Sequence, residues 1–138
     1  MSSPPLLDTS VLLRHVLSDS PTLSPKATTY FRRIERGEVT VRLSDTVICE
    51  AVFTLEKFYR VPRFDIRDNL LDILRLPGVV IPGKRSFRRV FDLYVSRRSI
   101  SFADCYHAVL AQRLGVSEVV SFDRDFDRLP GVTRIEPS

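Results

Sequence analysis

At 138 residues, 43% hydrophobic and 28% charged, the chain has the make-up of one globular domain, residues 1–138, with room for a sizeable core. No apolar run approaches the length of a membrane span, and residues 1–5 lack a signal-peptide pattern. The two cysteines, Cys49 and Cys105, are too few for a disulfide framework or a zinc site, so a cytoplasmic protein with buried, reduced thiols is expected.

In chain order, residues 6–8 read as a short buried strand and residues 11–17 as the helix after it. After the turn at Ser18-Asp19-Ser20-Pro21, Ser24 is expected to cap a second helix, with Pro25 at its first position and Gly37 as its stop. Residues 39–43 alternate as a strand. Ser44 or Asp45 then caps a helix reaching about Tyr59, with Ile48, Val52, Leu55, Phe58 and Tyr59 at helical spacing. Pro62 breaks it. Ile66, Leu70, Ile73 and Leu74 mark the next helix, ended by Pro77-Gly78.

Residues 79–81 form a third strand. Phe87, Val90, Phe91, Tyr94 and Val95 mark a further helix. Ser101 opens another, with Tyr106, Val109, Leu110 and Leu114 on its apolar side. Residues 119–121 and 133–135 complete the strands, the last coming after the Pro130-Gly131 turn. Nearly continuous apolar strands alternating with helices predict an α/β chain with a parallel sheet.

Against this frame, four acids stand out. Asp8 ends the first strand and Asp123 follows the fourth, at the carboxyl edge where open α/β sheets bind ligands. Glu50 and Asp104 lie early in helices between them. Acids gathered at one edge repel unless a hard cation sits among them, which points to Mg²⁺ or Mn²⁺ and so to phosphate chemistry. Each has a plainer reading. Asp8-Thr9-Ser10 is also an N-cap, Glu50 also suits the polar side of its helix, and Ser101-Phe102-Ala103-Asp104 is also a capping box. If Glu50 were buried among Ile48, Ala51 and Val52, it would need a partner or a metal.

Around these acids, Ser10 and Ser121 offer hydroxyls, and His107 shares a helix face with Asp104. Asp125 and Asp127 alternate with Asp123 as in half of a calcium loop. That loop's glycine and final glutamate are replaced by Arg128 and Arg134, which argues against an EF-hand. The net charge is +4, and the arginines cluster at 32–36, 85–89 and 97–98. Together with Arg14 they suit a polyanion backbone.

Four segments in order, Leu7-Asp8-Thr9-Ser10-Val11, Val47-Ile48-Cys49-Glu50-Ala51-Val52, Phe102-Ala103-Asp104-Cys105-Tyr106-His107 and Val119-Val120-Ser121-Phe122-Asp123-Arg124-Asp125-Phe126, resemble the PIN-domain family over essentially the whole chain. The likeness is strongest to the VapC-type toxins of toxin–antitoxin pairs. It implies a three-layer α/β/α sandwich with a central parallel sheet of four or five strands. It also implies a metal-dependent endoribonuclease whose acidic quartet is Asp8, Glu50, Asp104 and Asp123, with Ser10 and Ser121 beside it. An RNA substrate, a cognate antitoxin and a homodimer are implied too.

A haloacid-dehalogenase-type site would want an acid where Ser10 stands. A receiver domain would want one at the end of the third strand, where Val79-Val80-Ile81-Pro82 offers none. The alternative that keeps the fold is a silent module that binds nucleic acid or a partner.

Overall fold

In the computed structural model, which describes residues 3–138, the chain divides into two compact units, one ending at Lys84 and one running from Arg85 to Ser138. Met1 and Ser2, part of the stretch read for a signal pattern, lie outside the described residues. Among the described residues no helix is long and apolar enough to cross a membrane.

The first unit begins with an extended segment that does not reach the length of a strand. Leu6 makes one parallel bridge to Arg42, with Leu7 N–H donating to Arg42 O at 2.9 Å and Arg42 N–H donating to Pro5 O at 2.7 Å. Leu7 is buried, but Leu6 is 74% exposed, so the buried strand expected over residues 6–8 is corrected to a single bridge with one buried face. Helix α1 (Thr9–Leu17) begins directly after it. It ends where Ser18 turns left-handed at φ 51°.

Helix α2 (Leu23–Glu35) starts earlier than expected, and Ser24 is not its N-cap. Ser20 Oγ accepts from Leu23 N–H at 3.0 Å, while Ser24 Oγ accepts from Ser20 N–H at 3.1 Å. Ser20 therefore satisfies the orphan donor and Ser24 reaches back to it, a reciprocal arrangement like that of a capping box. Pro25 falls in the first turn, where a missing N–H costs nothing. Gly37, at φ +77°, sits just past the helix end as expected.

Strand β1 (Val41–Arg42) pairs in parallel with β2 (Val79–Val80), Val41 opposite Val79. Helix α3 (Asp45–Phe53) connects towards β2, capped by Ser44 Oγ, which accepts from Val47 N–H at 3.2 Å. It continues as a π-helical turn, Thr54–Phe58, closed by Tyr59 N–H donating to Thr54 O at 3.2 Å. The wider turn rotates the side chains beyond it away from the core face. Ile48, Val52 and Leu55 are buried as their spacing predicts, but Phe58 is 77% exposed and Tyr59 is exposed too. Helix α4 (Arg63–Leu74) then buries Ile66, Leu70, Ile73 and Leu74, as read from the sequence. Helix α1 packs on both α2 and α3.

The second unit contains α5 (Phe87–Ser96) and α6 (Phe102–Arg113), which pack on each other. Their seam is aromatic. Phe102 lies against Phe91 and Tyr94 with ring centroids 4.9 and 5.4 Å apart, and Phe87 stacks on Tyr106 at 5.9 Å. Leu114, expected on the apolar side of α6, is exposed because the helix has ended by that position. Strands β3 (Glu118–Val120) and β4 (Thr133–Ile135) pair in parallel, Val120 opposite Ile135. A 3-10 turn, Arg124–Arg128, lies between them.

The architecture is α/β, with helices joining parallel strands. Among the described residues the strands form two parallel pairs and the Leu6 bridge. Cys105 is buried and Cys49 half-buried, both as thiols. Burial and the nearby Asp45 charge push the Cys49 thiol up, so it is a poor nucleophile.

Candidate active site

In the second unit, three acids converge. Asp104 stands in the first turn of α6, where Ser101 Oγ caps the helix by accepting from Asp104 N–H at 3.2 Å. Asp123 lies just beyond β3. Its own N–H donates to Ser121 Oγ at 2.9 Å, and its Oδ1 accepts from Asp125 N–H at 2.9 Å. These short-range bonds wind the chain into the 3-10 turn and present Asp123 and Asp125 together. One carboxylate oxygen from each of Asp104, Asp123 and Asp125 lies within 4.8 Å of the other two.

Part burial, then the Asp123 charge, hold the Asp104 carboxyl above the usual carboxylate range, and Asp125 pushes the same way. Repelling carboxylates that meet in an all-oxygen cluster fit a hard divalent cation such as Mg²⁺ or Mn²⁺ far better than a soft one. Arg128 bridges to Asp125 and also donates to Ser99 Oγ at 2.9 Å, so part of the Asp125 charge is already answered.

Asp125 is the member that sequence reasoning misses. Its signal is the alternation with Asp123 immediately after a strand, which the sequence alone matches only to half of a calcium loop. Asp127, the third acid of that run, turns away and pairs with Arg134 at 3.2 Å. Arg134 in turn donates to Ser121 O at 3.0 Å. His107 is exposed on α6.

In the first unit, Asp8 is the N-cap of α1. Its Oδ2 accepts from Ser10 N–H at 3.1 Å and from Ser10 Oγ–H at 2.6 Å. The Ser10 hydroxyl first, and then its backbone N–H, hold the Asp8 carboxyl below the usual range. Asp8 is exposed, so capping leaves it open to solvent and to a ligand.

Glu50 is exposed on α3. Ile48, Ala51 and Val52 face the core and Glu50 does not, so burial forces neither a partner nor a metal on it, contrary to the expectation from its neighbours. Arg14, expected to contact substrate, forms an ion pair with Asp19 at 3.3 Å. It also lines a cavity of about 480 Å³ that Asp8, Ser10 and Tyr30 share.

The site acids sit in a chain whose residues 6–132 match the model of the PIN domain. The chain belongs to the PIN-domain family. A relative, the VapC ribonuclease of Aquifex aeolicus (strain VF5), is 33% identical over 132 residues, covering 96% of each chain. The family match takes in all four acids expected from the sequence: Asp8, Glu50, Asp104 and Asp123.

Proposed function

We propose that this PIN-domain protein is a metal-dependent endoribonuclease, the toxin of a VapBC-type toxin–antitoxin pair. The observation that carries the reading is the convergence of Asp104, Asp123 and Asp125 within a chain of this family. The full-length likeness to a VapC ribonuclease supports RNA as the substrate.

In this reading Asp8, Glu50, Asp104 and Asp123 act together on one cation centre, with Asp125 as a further oxygen donor. Mg²⁺ is the expected ion and Mn²⁺ the alternative. A bound cation of this kind lowers the pKa of its water and stabilises charge developing on phosphate oxygens. The chain's own groups set up that chemistry. Ser10 fixes the Asp8 carboxylate by two hydrogen bonds and favours its ionised form. Ser121 holds the backbone of Asp123, and Ser101 holds that of Asp104. Arg14 lines the same cavity as Asp8 and in this reading meets a phosphate there once released from Asp19.

The same reading takes residues 1–138 as one working domain. The Leu6 segment and β1 to β4 then belong to the central parallel sheet of a three-layer α/β/α sandwich. It also includes a cytoplasmic location, a cognate antitoxin and a homodimer. The competing reading is a PIN module that binds nucleic acid or a partner without turnover.

A panel of structured RNAs incubated with Mg²⁺, Mn²⁺ or EDTA, beside Asp104→Asn, separates the two. Discrete cuts that need metal and vanish in the variant support the nuclease. Metal-indifferent RNA binding without cuts supports the module.

A further inference from the structure

We propose that the arginines at the start of α5 and the end of α6 form a track for RNA backbone, set at the opposite end of α6 from Asp104. The proposal rests on the ribonuclease reading and names where the substrate strand runs.

Arg85, Arg88, Arg89 and Arg113 are all exposed. Two of them, Arg89 and Arg113, are tied across the two helices. Arg113 Nη1 donates to Ser86 Oγ at 3.4 Å, and Arg89 donates to the Gln112 side-chain oxygen. Gln112 is itself tied down, donating to Pro130 O at 2.8 Å. The hydroxyl and amide that orient these guanidiniums are neutral, so these bonds hold the geometry without cancelling the charge. From residue 84 to 98 the only acid is Asp92, against Lys84, Arg85, Arg88, Arg89, Arg97 and Arg98. Lys84 is turned to the carbonyls of Leu76 and Val79.

A solvated helix face does not explain the placement well. The first turn of α5 carries no acid. Arg88 and Arg89 lie there, at the end where the helix dipole already favours negative charge and disfavours cations. Positive charge gathered at such a point is a liability for stability and an asset for holding an anion. Guanidiniums suit phosphodiesters because they can donate two parallel hydrogen bonds.

One helix relates the track to the acids. Asp104 lies in the first turn of α6 and Arg113 is its last residue. The nine steps from one to the other span about 13 Å at roughly 1.5 Å each. A strand whose reacting phosphate lies at the acidic end therefore brings its flanking phosphates to the arginines at the other end of the helix. The track therefore grips the flank of the substrate and leaves the reacting phosphate to the acids.

The test is fluorescence anisotropy of a long labelled single-stranded RNA with the full chain in EDTA, across a range of KCl. The Arg85→Ala/Arg88→Ala/Arg89→Ala protein is compared with wild type and with the matching triple lysine variant. Loss of three phosphate contacts should flatten the salt dependence of log Kd by about 2, since each contact on a single strand contributes roughly 0.7. The lysine variant should keep the wild-type slope, which separates lost charge from lost folding.

In cleavage assays the alanine variant should raise KM for long RNA while leaving kcat unchanged. It should cut fragments too short to reach the track as well as wild type does. An unchanged slope in the alanine variant, or no RNA binding by wild type, overturns the track. Polyglutamate that binds wild type with the arginine-dependent slope, while the RNA slope is unchanged, assigns the patch to an acidic protein partner and overturns it too. A flattened slope in a protein that cuts no RNA keeps the track and overturns the ribonuclease reading instead.

Discussion

The carboxylates of Asp104 and Asp123 lie close enough to share one cation, and the Asp123 charge is the second cause, after burial, that keeps the Asp104 carboxyl above its usual range. Two acids brought from a helix start and a strand end into mutual repulsion are costly for the fold alone. A cation between them removes the cost.

Relief of that repulsion is measurable without any substrate. Asp104→Asn should melt at the wild-type temperature or above it in EDTA. Mn²⁺ should raise the wild-type melting temperature and raise that of the variant by less, because a ligand stabilises the folded state in proportion to how tightly it binds there. RNA cleavage by the variant should fall by more than about 100-fold, since even residues that merely support metal ligands cost roughly 10–100-fold when changed.

Asp125 and Asp127 provide an internal comparison two residues apart. Asp125 belongs to the cluster, whereas Asp127 pairs with Arg134. Asp125→Asn should weaken Mn²⁺ binding by about 10-fold, the lower end of what supporting residues contribute. Asp127→Asn should leave Mn²⁺ affinity unchanged. Calorimetric titration of both variants checks the contrast.

Asp8 serves both as a helix cap and as a proposed ligand, and two substitutions separate these roles. Asparagine caps a helix as well as aspartate does, but carries no charge. Asp8→Asn should therefore keep the melting temperature and lose cleavage, while Asp8→Ala should lose both. A cap with no part in the chemistry gives the scale: Ser44→Ala should cost about 1 kcal/mol in urea unfolding and leave kcat unchanged.

His15 gives the fold a pH dependence independent of the acids. Its ring stacks on Phe31 at 4.5 Å, and its Nδ1 lies 2.9 Å from Thr28 Oγ1. Burial first, and then Arg32, hold its pKa below the ordinary histidine value of 6.5. The unfolded chain thus takes up a proton at a higher pH than the folded one. Stability should be full above the ordinary histidine range, fall as pH drops from there to the lowered folded value, and level off below it. His15→Asn should flatten this part of a melting-temperature profile.

Particular residues explain how far the sequence can be read. Leu70, Ile73 and Leu74 are legible because a regular helix maps spacing directly onto burial. Ser101 and Asp104 are legible because capping is local, and the strand at Thr133–Ile135 stands where the turn before it places it. Phe58 and Tyr59 are misread because a π-turn adds a residue that no spacing rule anticipates. Ser24 is misread because the deciding bonds come from Ser20, a turn upstream. The exposure of Glu50 depends on which helix face meets the core, a tertiary fact that its apolar neighbours conceal. Asp125 escapes notice because its role depends on Asp104, remote in sequence.

The central claim is that Asp8, Glu50, Asp104 and Asp123 hold one cation centre, and a double-mutant cycle on Mn²⁺ affinity tests it most directly. Calorimetric titration would compare wild type, Asp8→Asn, Asp104→Asn and the double variant. If one centre is shared, each single change weakens binding by more than about 10-fold, and the double change costs clearly less than the sum of the two. If Asp8→Asn binds Mn²⁺ as wild type does, the metal belongs to the Asp104, Asp123 and Asp125 cluster alone, and the shared centre is contradicted.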